Sequence, residues 1–334
     1  MIYRNFLMIL MSLLFLASCD SMVRSNFDFP TSDLPPKEII VKNYGQALFE
    51  ADTNRLQETL KRIQPDFMPF LDADLDDSAN INRIRSFVTD TLLRRLYKVS
   101  TVTFSGINDP RNSMTDAFRR YHKHFPEAPI PEIYLYISGV QFEAPVMVSE
   151  NAAAIALDCY LGIDFPYYRQ LGIPFYRISR MTPGHLINDL FGGVYEAYVE
   201  PEQQTKTILD EMIKAGKRLY FLEAMQPDTD DQLIIGYTSE QLEWVNQHEG
   251  ELWAFFVGEQ VLYSSDFLMF RKLFGDGPFT QDFSEKAPAR LGEWVGWQIV
   301  RKYARQHSGL SLSEIIAITD SQSILAGSKY KPKK

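Results

Sequence analysis

Cysteine is nearly absent from this sequence, which has only Cys19 and Cys159 among its 334 residues. Such a chain is not a small scaffold held together by disulfides, and its length allows a large hydrophobic core instead. Cys159 lies in the apolar run 152–162 (AAAIALDCYLG). We expect a buried, unreactive thiol there, because a reactive thiolate needs an accessible and electropositive setting.

An excess of basic residues is also missing. The chain has 34 Lys and Arg against 43 Asp and Glu, a formal net charge of −9. Proteins that bind nucleic acid present a basic surface to the phosphates. The charge balance therefore excludes nucleic acid as a partner.

No apolar run of membrane-spanning length stands out. Residues 6–16 (FLMILMSLLFL) are apolar apart from Ser12, but a transmembrane helix needs roughly 20 such residues. The run has the length of a signal-peptide core and leads into Leu-Ala-Ser-Cys at 16–19, a string similar to a lipobox. We therefore predict that residues 1–18 are a lipoprotein signal peptide and that Cys19 carries acyl chains such as palmitate. Lipid on Cys19 would make the membrane a partner of the mature chain.

The remaining sequence predicts an α+β fold with a helical N-terminal part, a small central β-sheet and a mostly helical C-terminal half. We interpret residues 19–35 as a lipidated tether, 36–330 as a single globular domain and 331–334 as a basic tail. Within the domain, residues 164–176 read as an irregular loop. Helices are predicted within 36–124 and 183–326, and strands between 100 and 160, at 101–106, 132–139 and 152–162.

Familiar catalytic and cofactor motifs are missing as well. There is no G-x-S-x-G, no phosphate-binding loop, no G-x-G-x-x-G and no Cys/His cluster. His185 and Asp189 are four residues apart, as two zinc ligands on a helix are, but Leu186 occupies the position of the general base. His248-Glu249 begins a similar motif that fails at Leu252. We therefore expect no catalytic residue, metal or cofactor, and we interpret His122, His124 and His307 as solvated.

Two features of the C-terminal half predict helix packing. Glu249 lies between Val245 and Leu252 on an apolar stripe, where an unpaired charge would be costly. We predict a structural ion pair between Glu249 and either Arg290 or Arg301, a catalytic role for Glu249 being the alternative. Two glycines one turn apart, at 292 and 296, would let another helix approach closely.

The C-terminal half also resembles a known family. The segments that carry the resemblance are MIKAGKRLYFLEAMQPD, IIGYTSEQLEWVNQHEGELWAFFV, LYSSD, PARLGEWVGWQIVRKY and ILAGSKYKPKK. Together with the lipoprotein signal and LDCYLG, they resemble the gliding-motility lipoprotein GldB family over essentially the whole chain. The resemblance implies an envelope lipoprotein needed for gliding, alongside the machinery that secretes adhesins.

A more distant likeness concerns residues 213–221 and 294–303, which look like parts of a predicted zinc-peptidase family with a zincin-like fold. That likeness would place a metal-binding Glu where this chain has Ala215, and it would make His185 the only survivor of H-E-x-x-H. It implies a degenerate peptidase fold without its catalyst.

These observations lead to one functional hypothesis and one alternative. We expect a non-enzymatic, lipid-anchored component of the cell envelope that acts through contacts with motility or secretion proteins. No acidic export tag follows Cys19, which favours an outer-membrane anchor facing the periplasm. The alternative is a lipid-anchored hydrolase, similar to a zinc peptidase, with an unrecognised site.

Overall fold

The computed structural model describes residues 27–332, apart from positions 28, 36, 37, 107, 108, 259, 281 and 282. Cys19 and the predicted signal peptide therefore lie outside the described residues. Among the described helices, none combines the length and the apolar character needed to cross a membrane.

Four strands form one mixed sheet, in the order β1-β2-β4-β3. Strands β1, β2 and β4 are parallel, and β3 pairs with β4 in the antiparallel direction at the edge. The strands predicted at 132–139 and 152–162 are confirmed as β2 and β4, whereas β1 and β3 are too short to show an alternating pattern. The strand bounds are Val41–Asn43 (β1), Glu132–Tyr136 (β2), Val146–Val148 (β3) and Ala152–Ala156 (β4).

Five helices belong to the N-terminal part: Tyr44–Phe49 (α1), Leu56–Ile63 (α2), Ser78–Thr89 (α3), Thr91–Thr103 (α4) and Pro110–His124 (α5). The strand predicted at 101–106 is wrong, because α4 runs through residues 101–103 and the chain then turns. Asp90 caps α4 by accepting hydrogen bonds from the N–H groups of Leu92 and Leu93. The buried Leu96 and Ser100 then continue one face, so the helical period overrides the β-branched residues at its end.

The segment 164–176, predicted as an irregular loop, contains one short helix and the beginning of another, Pro166–Gln170 (α6) and Phe175–Ile178 (α7). Proline explains both, since Pro166 occupies the first turn of α6 and Pro174 directly precedes α7. Leu186–Val194 (α8) follows and continues into a π-helical turn, Tyr195–Val199.

The C-terminal half is helical, as predicted, and the α+β class is confirmed. Its helices are Ile208–Met225 (α9), Asp231–Ile235 (α10), Ser239–Gln247 (α11), Glu249–Gly258 (α12), Phe267–Phe274 (α13), Leu291–Gln306 (α14), Leu312–Ala317 (α15) and Ser321–Ser328 (α16). The sequence Thr238-Ser-Glu-Gln241 has the form of a capping box, and the structure shows its reciprocal hydrogen bonds between Thr238 and Gln241.

Helices α9 and α14 touch backbone to backbone. A Cβ added to Gly296 would lie 1.8 Å from the carbonyl oxygen of Met212, and one added to Gly216 would lie 2.4 Å from the carbonyl group of Gly296. The close approach predicted for Gly296 is thus confirmed, while Gly292 faces the ring of Phe274 on α13. No side chain separates the two backbones, so α9 and α14 pack in direct backbone contact in the core.

We predict that Gly296→Ala lowers the free energy of unfolding by about 3 kcal/mol, since an added methyl group overpacks this contact. Urea denaturation of the chain without residues 1–19 measures the loss. Gly309→Ala is the matched control, because nothing lies within 4 Å of a Cβ at that position. Equal stability of the two variants would contradict the close packing.

Candidate functional site

His185 and Asp189 lie at the start of α8, but they face different surroundings. His185 is 6% exposed, and its Nδ1 lies 2.8 Å from the Thr182 hydroxyl. Burial, together with the nearby Arg180 and Arg290, lowers the pKa of His185 to about 4. This histidine is therefore neutral at physiological pH and held inside the fold.

Asp189 instead lines a cleft of about 310 Å³, bordered by strand β3 and helix α8. The Tyr160 hydroxyl donates a hydrogen bond of 2.8 Å to Oδ2 of Asp189. Burial raises the pKa of the Asp189 carboxyl, against the opposing effects of that hydrogen bond and of the guanidinium groups of Arg218, Arg180 and Arg177. The carboxyl group of Asp189 is thus buried, with three arginine side chains near it.

The segment that supplies Tyr160 is fixed by a second buried carboxylate. Asp158, fully buried, accepts hydrogen bonds from the backbone N–H groups of Ser138 and Val140, at 2.9 and 2.7 Å. The Tyr168 hydroxyl bridges this segment by donating to the carbonyl of Asp158 while accepting from the N–H of Leu161. Tyr160 therefore meets Asp189 from a rigid support.

The arginines of the cleft are held by acidic partners. Arg177 and Arg180 both pair with Asp276, and Arg218 pairs with Glu196 at 3.1 Å. Burial and the neighbouring Arg290 lower the pKa of Arg180. The cleft beside Asp189 therefore carries three arginine side chains, each of them paired with a carboxylate.

Ala215 does not add a ligand to this cleft. It lies on α9 at an adjoining pocket that shares Glu196 and Arg218 with the cleft but does not include Asp189. Within the described part of the chain, no three His, Cys, Asp or Glu side chains are grouped so as to hold a metal ion. His185, Asp189 and Ala215 are thus not assembled into one site.

Cys159 is 1% exposed, as predicted for a buried thiol. Burial is the main cause that raises its pKa, and the adjacent Asp158 adds to the rise. Because the thiolate is the reactive form, this thiol is a poor nucleophile even though Cys159 borders the cleft.

The ion pair predicted for Glu249 is wrong. Glu249 accepts a 2.7 Å hydrogen bond from the Tyr330 hydroxyl and is only partly buried. The helical pattern is interrupted at His248, between α11 and α12, so the spacing from Val245 to Leu252 does not describe one continuous stripe. The sequence pattern predicted one helix here, whereas α11 and α12 are two helices separated at His248.

Arg301 does form a buried ion pair, but with different residues. Its Nε lies 2.8 Å from Glu223, and its two terminal nitrogens each donate to Asp231 at 2.7 Å. The indole N–H of Trp297 also donates to Glu223, at 3.0 Å. A signal for Glu223 was present, because it follows Met212, Gly216 and Leu219 at helical spacing along the buried face of α9.

Arg290 also contacts residues other than Glu249. Its nearest acidic groups are Glu293 at 3.5 Å and Asp276 at 3.8 Å, and its guanidinium lies over the ring of Tyr237. Arg290 precedes α14 with a left-handed φ of 59°, which is uncommon for a non-glycine residue. The arginine is thus held by Tyr237 and two carboxylates, none of which is Glu249.

Comparison with known proteins identifies one family. A family model described as gliding motility protein GldB matches residues 30–332, nearly the whole chain. No curated protein matches, and no solved structure matches. The zincin-like fold therefore remains a prediction.

We predict that Glu223→Ala lowers the free energy of unfolding by about 3–5 kcal/mol, because it leaves the buried Arg301 without a main partner. A double-mutant cycle with Arg301→Ala should return a coupling energy well above that of an exposed pair. Glu58 supplies the comparison, since it and its partner Arg55 are both 70% exposed. A Glu223–Arg301 coupling as small as that of Arg55 and Glu58 would refute the structural role.

Proposed function

The chain belongs to the gliding motility protein GldB family, and we propose that it is a lipid-anchored envelope protein that works through protein contacts. In this proposal, lipid on Cys19 holds the domain on the outer membrane, facing the periplasm. The domain then supports the motility and secretion machinery without catalysing a reaction. The family match over residues 30–332 is the observation that carries the proposal.

The surroundings of Asp189 support a role without catalysis. A catalytic zinc site needs three protein ligands and a base. Here Leu186 occupies the place of the base, and Arg177, Arg180 and Arg218 border the cleft. The acidic groups of Asp276 and Glu196 are already engaged in ion pairs with these arginines, which leaves fewer carboxylates to hold a metal ion.

A set of exposed apolar side chains, which we call the apolar surface, runs from the end of α12 to the first turn of α13 and supports a role in contact. Four exposed large apolar side chains fall within residues 257–268, at Val257, Tyr263, Phe267 and Leu268. Phe267 and Leu268 are 70% and 61% exposed on the first turn of α13. Clustered exposed apolar residues are typical of surfaces that bind other proteins.

The alternative function is a lipid-anchored hydrolase. One observation favours it, namely a carboxyl group with a raised pKa, Asp189, beside Tyr160 in a cleft. Perturbed carboxyl groups in clefts are characteristic of general acids and bases. A functional test has to distinguish catalysis at Asp189 from the binding of partner proteins.

We predict that Cys19→Ser abolishes the incorporation of labelled fatty acid and releases most of the protein from the membrane fraction. The reason is that the thiol is the site of acylation. Metabolic labelling followed by fractionation measures both effects. Cys159→Ser is the control, because that buried thiol is not expected to carry lipid. Unchanged labelling of Cys19→Ser would refute lipidation at this residue.

A second prediction separates contact from catalysis. Asp189→Asn keeps an acceptor for the Tyr160 hydroxyl but removes a titratable group, so we expect motility, secretion and in-cell crosslinking to stay at the unsubstituted level. Phe267→Glu places a charge on the apolar surface and should reduce crosslinked partners and motility at least several-fold. Circular dichroism and membrane fractionation establish that both variants fold and localise.

Val102→Glu is the control for the added charge, since Val102 is 69% exposed at the end of α4. It should behave like the unsubstituted chain. If Asp189→Asn folds and localises but loses motility while Phe267→Glu retains it, the hydrolase alternative is supported and the contact proposal is refuted.

A further inference from the structure

The N-terminal segment is fastened to the domain close behind Cys19. Phe27 is 4% exposed, and its carbonyl accepts a 2.8 Å hydrogen bond from Arg120 of α5. Its ring packs 5.2 Å from that of Tyr220 on α9 and 5.9 Å from that of His124. Part of the segment interpreted as a tether is therefore a fixed element of the fold.

Phe29 completes this attachment. The Nζ of Lys123 lies 3.2 Å from the centre of the Phe29 ring, and the guanidinium of Arg120 lies 4.9 Å from it. The ring of His124 contacts both phenylalanines, so its interpretation as a solvated residue is wrong. Burial and the adjacent cations lower the pKa of His124 to about 4. We call the attachment formed by residues 27, 29, 120, 123, 124 and 220 the N-terminal clasp.

The clasp limits how far the domain can lie from the anchor. Seven residues, 20–26, separate Cys19 from Phe27. Fully extended, this stretch reaches at most about 29 Å, at roughly 3.6 Å per residue. A compact domain of this length has a radius of gyration of about 19 Å and hence a diameter of about 50 Å. Even when fully extended, the stretch from Cys19 to Phe27 is thus shorter than the domain is wide, and we use the word tether for this stretch below.

We propose that the clasp orients the domain on the membrane, so that the C-terminal end of α5 faces the phospholipid headgroups. The inference rests on the proposed lipidation of Cys19 and adds a specific membrane-facing surface to it. A tether of this length cannot pass around the domain, and the clasped face therefore stays next to the anchor. In the proposed orientation the N-terminal end of α5 lies further from the lipid.

Two exposed positions report on the two ends of this helix. Glu127 follows the C-terminal end of α5, and Asn112 lies on its first turn. Asn112 and His124 are about 18 Å apart along the helix axis, at 1.5 Å per residue. Neither position belongs to the clasp, so a photoreactive amino acid at Glu127 or Asn112 leaves the attachment intact.

The test uses the full chain in its own membrane, with incorporation of labelled fatty acid measured first. After irradiation, we expect at least five times more phospholipid adduct from position 127 than from position 112. Insertion of twenty Gly and Ser residues between Ser25 and Asn26 keeps the clasp but lengthens the tether, and it should abolish the difference. Phe27→Ala with Phe29→Ala should do the same by opening the clasp.

Equal adducts from positions 127 and 112, or a difference that survives the insertion, would overturn the orientation while leaving lipidation in place. Crosslinking of position 127 to protein instead of lipid would also overturn it, because a partner would then cover this face. Absence of fatty-acid label would refute both the orientation and the proposed function. The labelling step therefore distinguishes the two failures.

Discussion

The contact between α9 and α14 is the constraint on which the rest of the structure depends. Gly216 and Gly296 bring two helix backbones together, and at that distance a buried charge on either helix has little water around it. Glu223 and Arg301 form an ion pair there through Oε2 of Glu223, which also accepts from the indole N–H of Trp297, and Arg301 donates to Asp231 as well. Oε1 of Glu223 is buried without a hydrogen-bond partner among the described residues. The close packing of the two helices thus encloses an ion pair that uses one of the two carboxylate oxygens.

Helix α9 passes this constraint to the functional regions. Arg218 on one side borders the cleft beside Asp189, while Tyr220 on another side receives Phe27 of the clasp. The buried Lys217 donates to the backbone carbonyl of Ile316 at 3.0 Å, which ties the C-terminal helices to the same element. Burial lowers the pKa of Lys217 to about 8, so the ammonium group that makes this hydrogen bond titrates close to physiological pH. A displacement of α9 would therefore move residues at the cleft, at the N-terminal clasp and at the C-terminal helices.

The parts of the fold that the sequence predicted share a local physical signal. The capping box at Thr238, the strand predicted at 132–139 and the close approach predicted for Gly296 were each indicated by residues within a few positions of one another. The failures share a different cause. Residues 101–103 have β-branched side chains, but they continue the helix that begins at the Asp90 cap. The partners of Arg301 and the role of Phe27 depend on contacts 78 and 93 residues away in sequence, which no local pattern records.

The edge strand β3 has a consequence for the proposed lipid-anchored form of this protein. Molecules confined to a membrane plane collide far more often than the same number in solution, and a free strand edge is a template for pairing between neighbours. This edge has only three residues, is preceded by Pro145, and is followed by a backbone that Tyr198 holds through the carbonyl groups of Ser149 and Glu150. If the domain is anchored as proposed, neighbouring molecules would therefore find little free strand to pair with at the β3 edge.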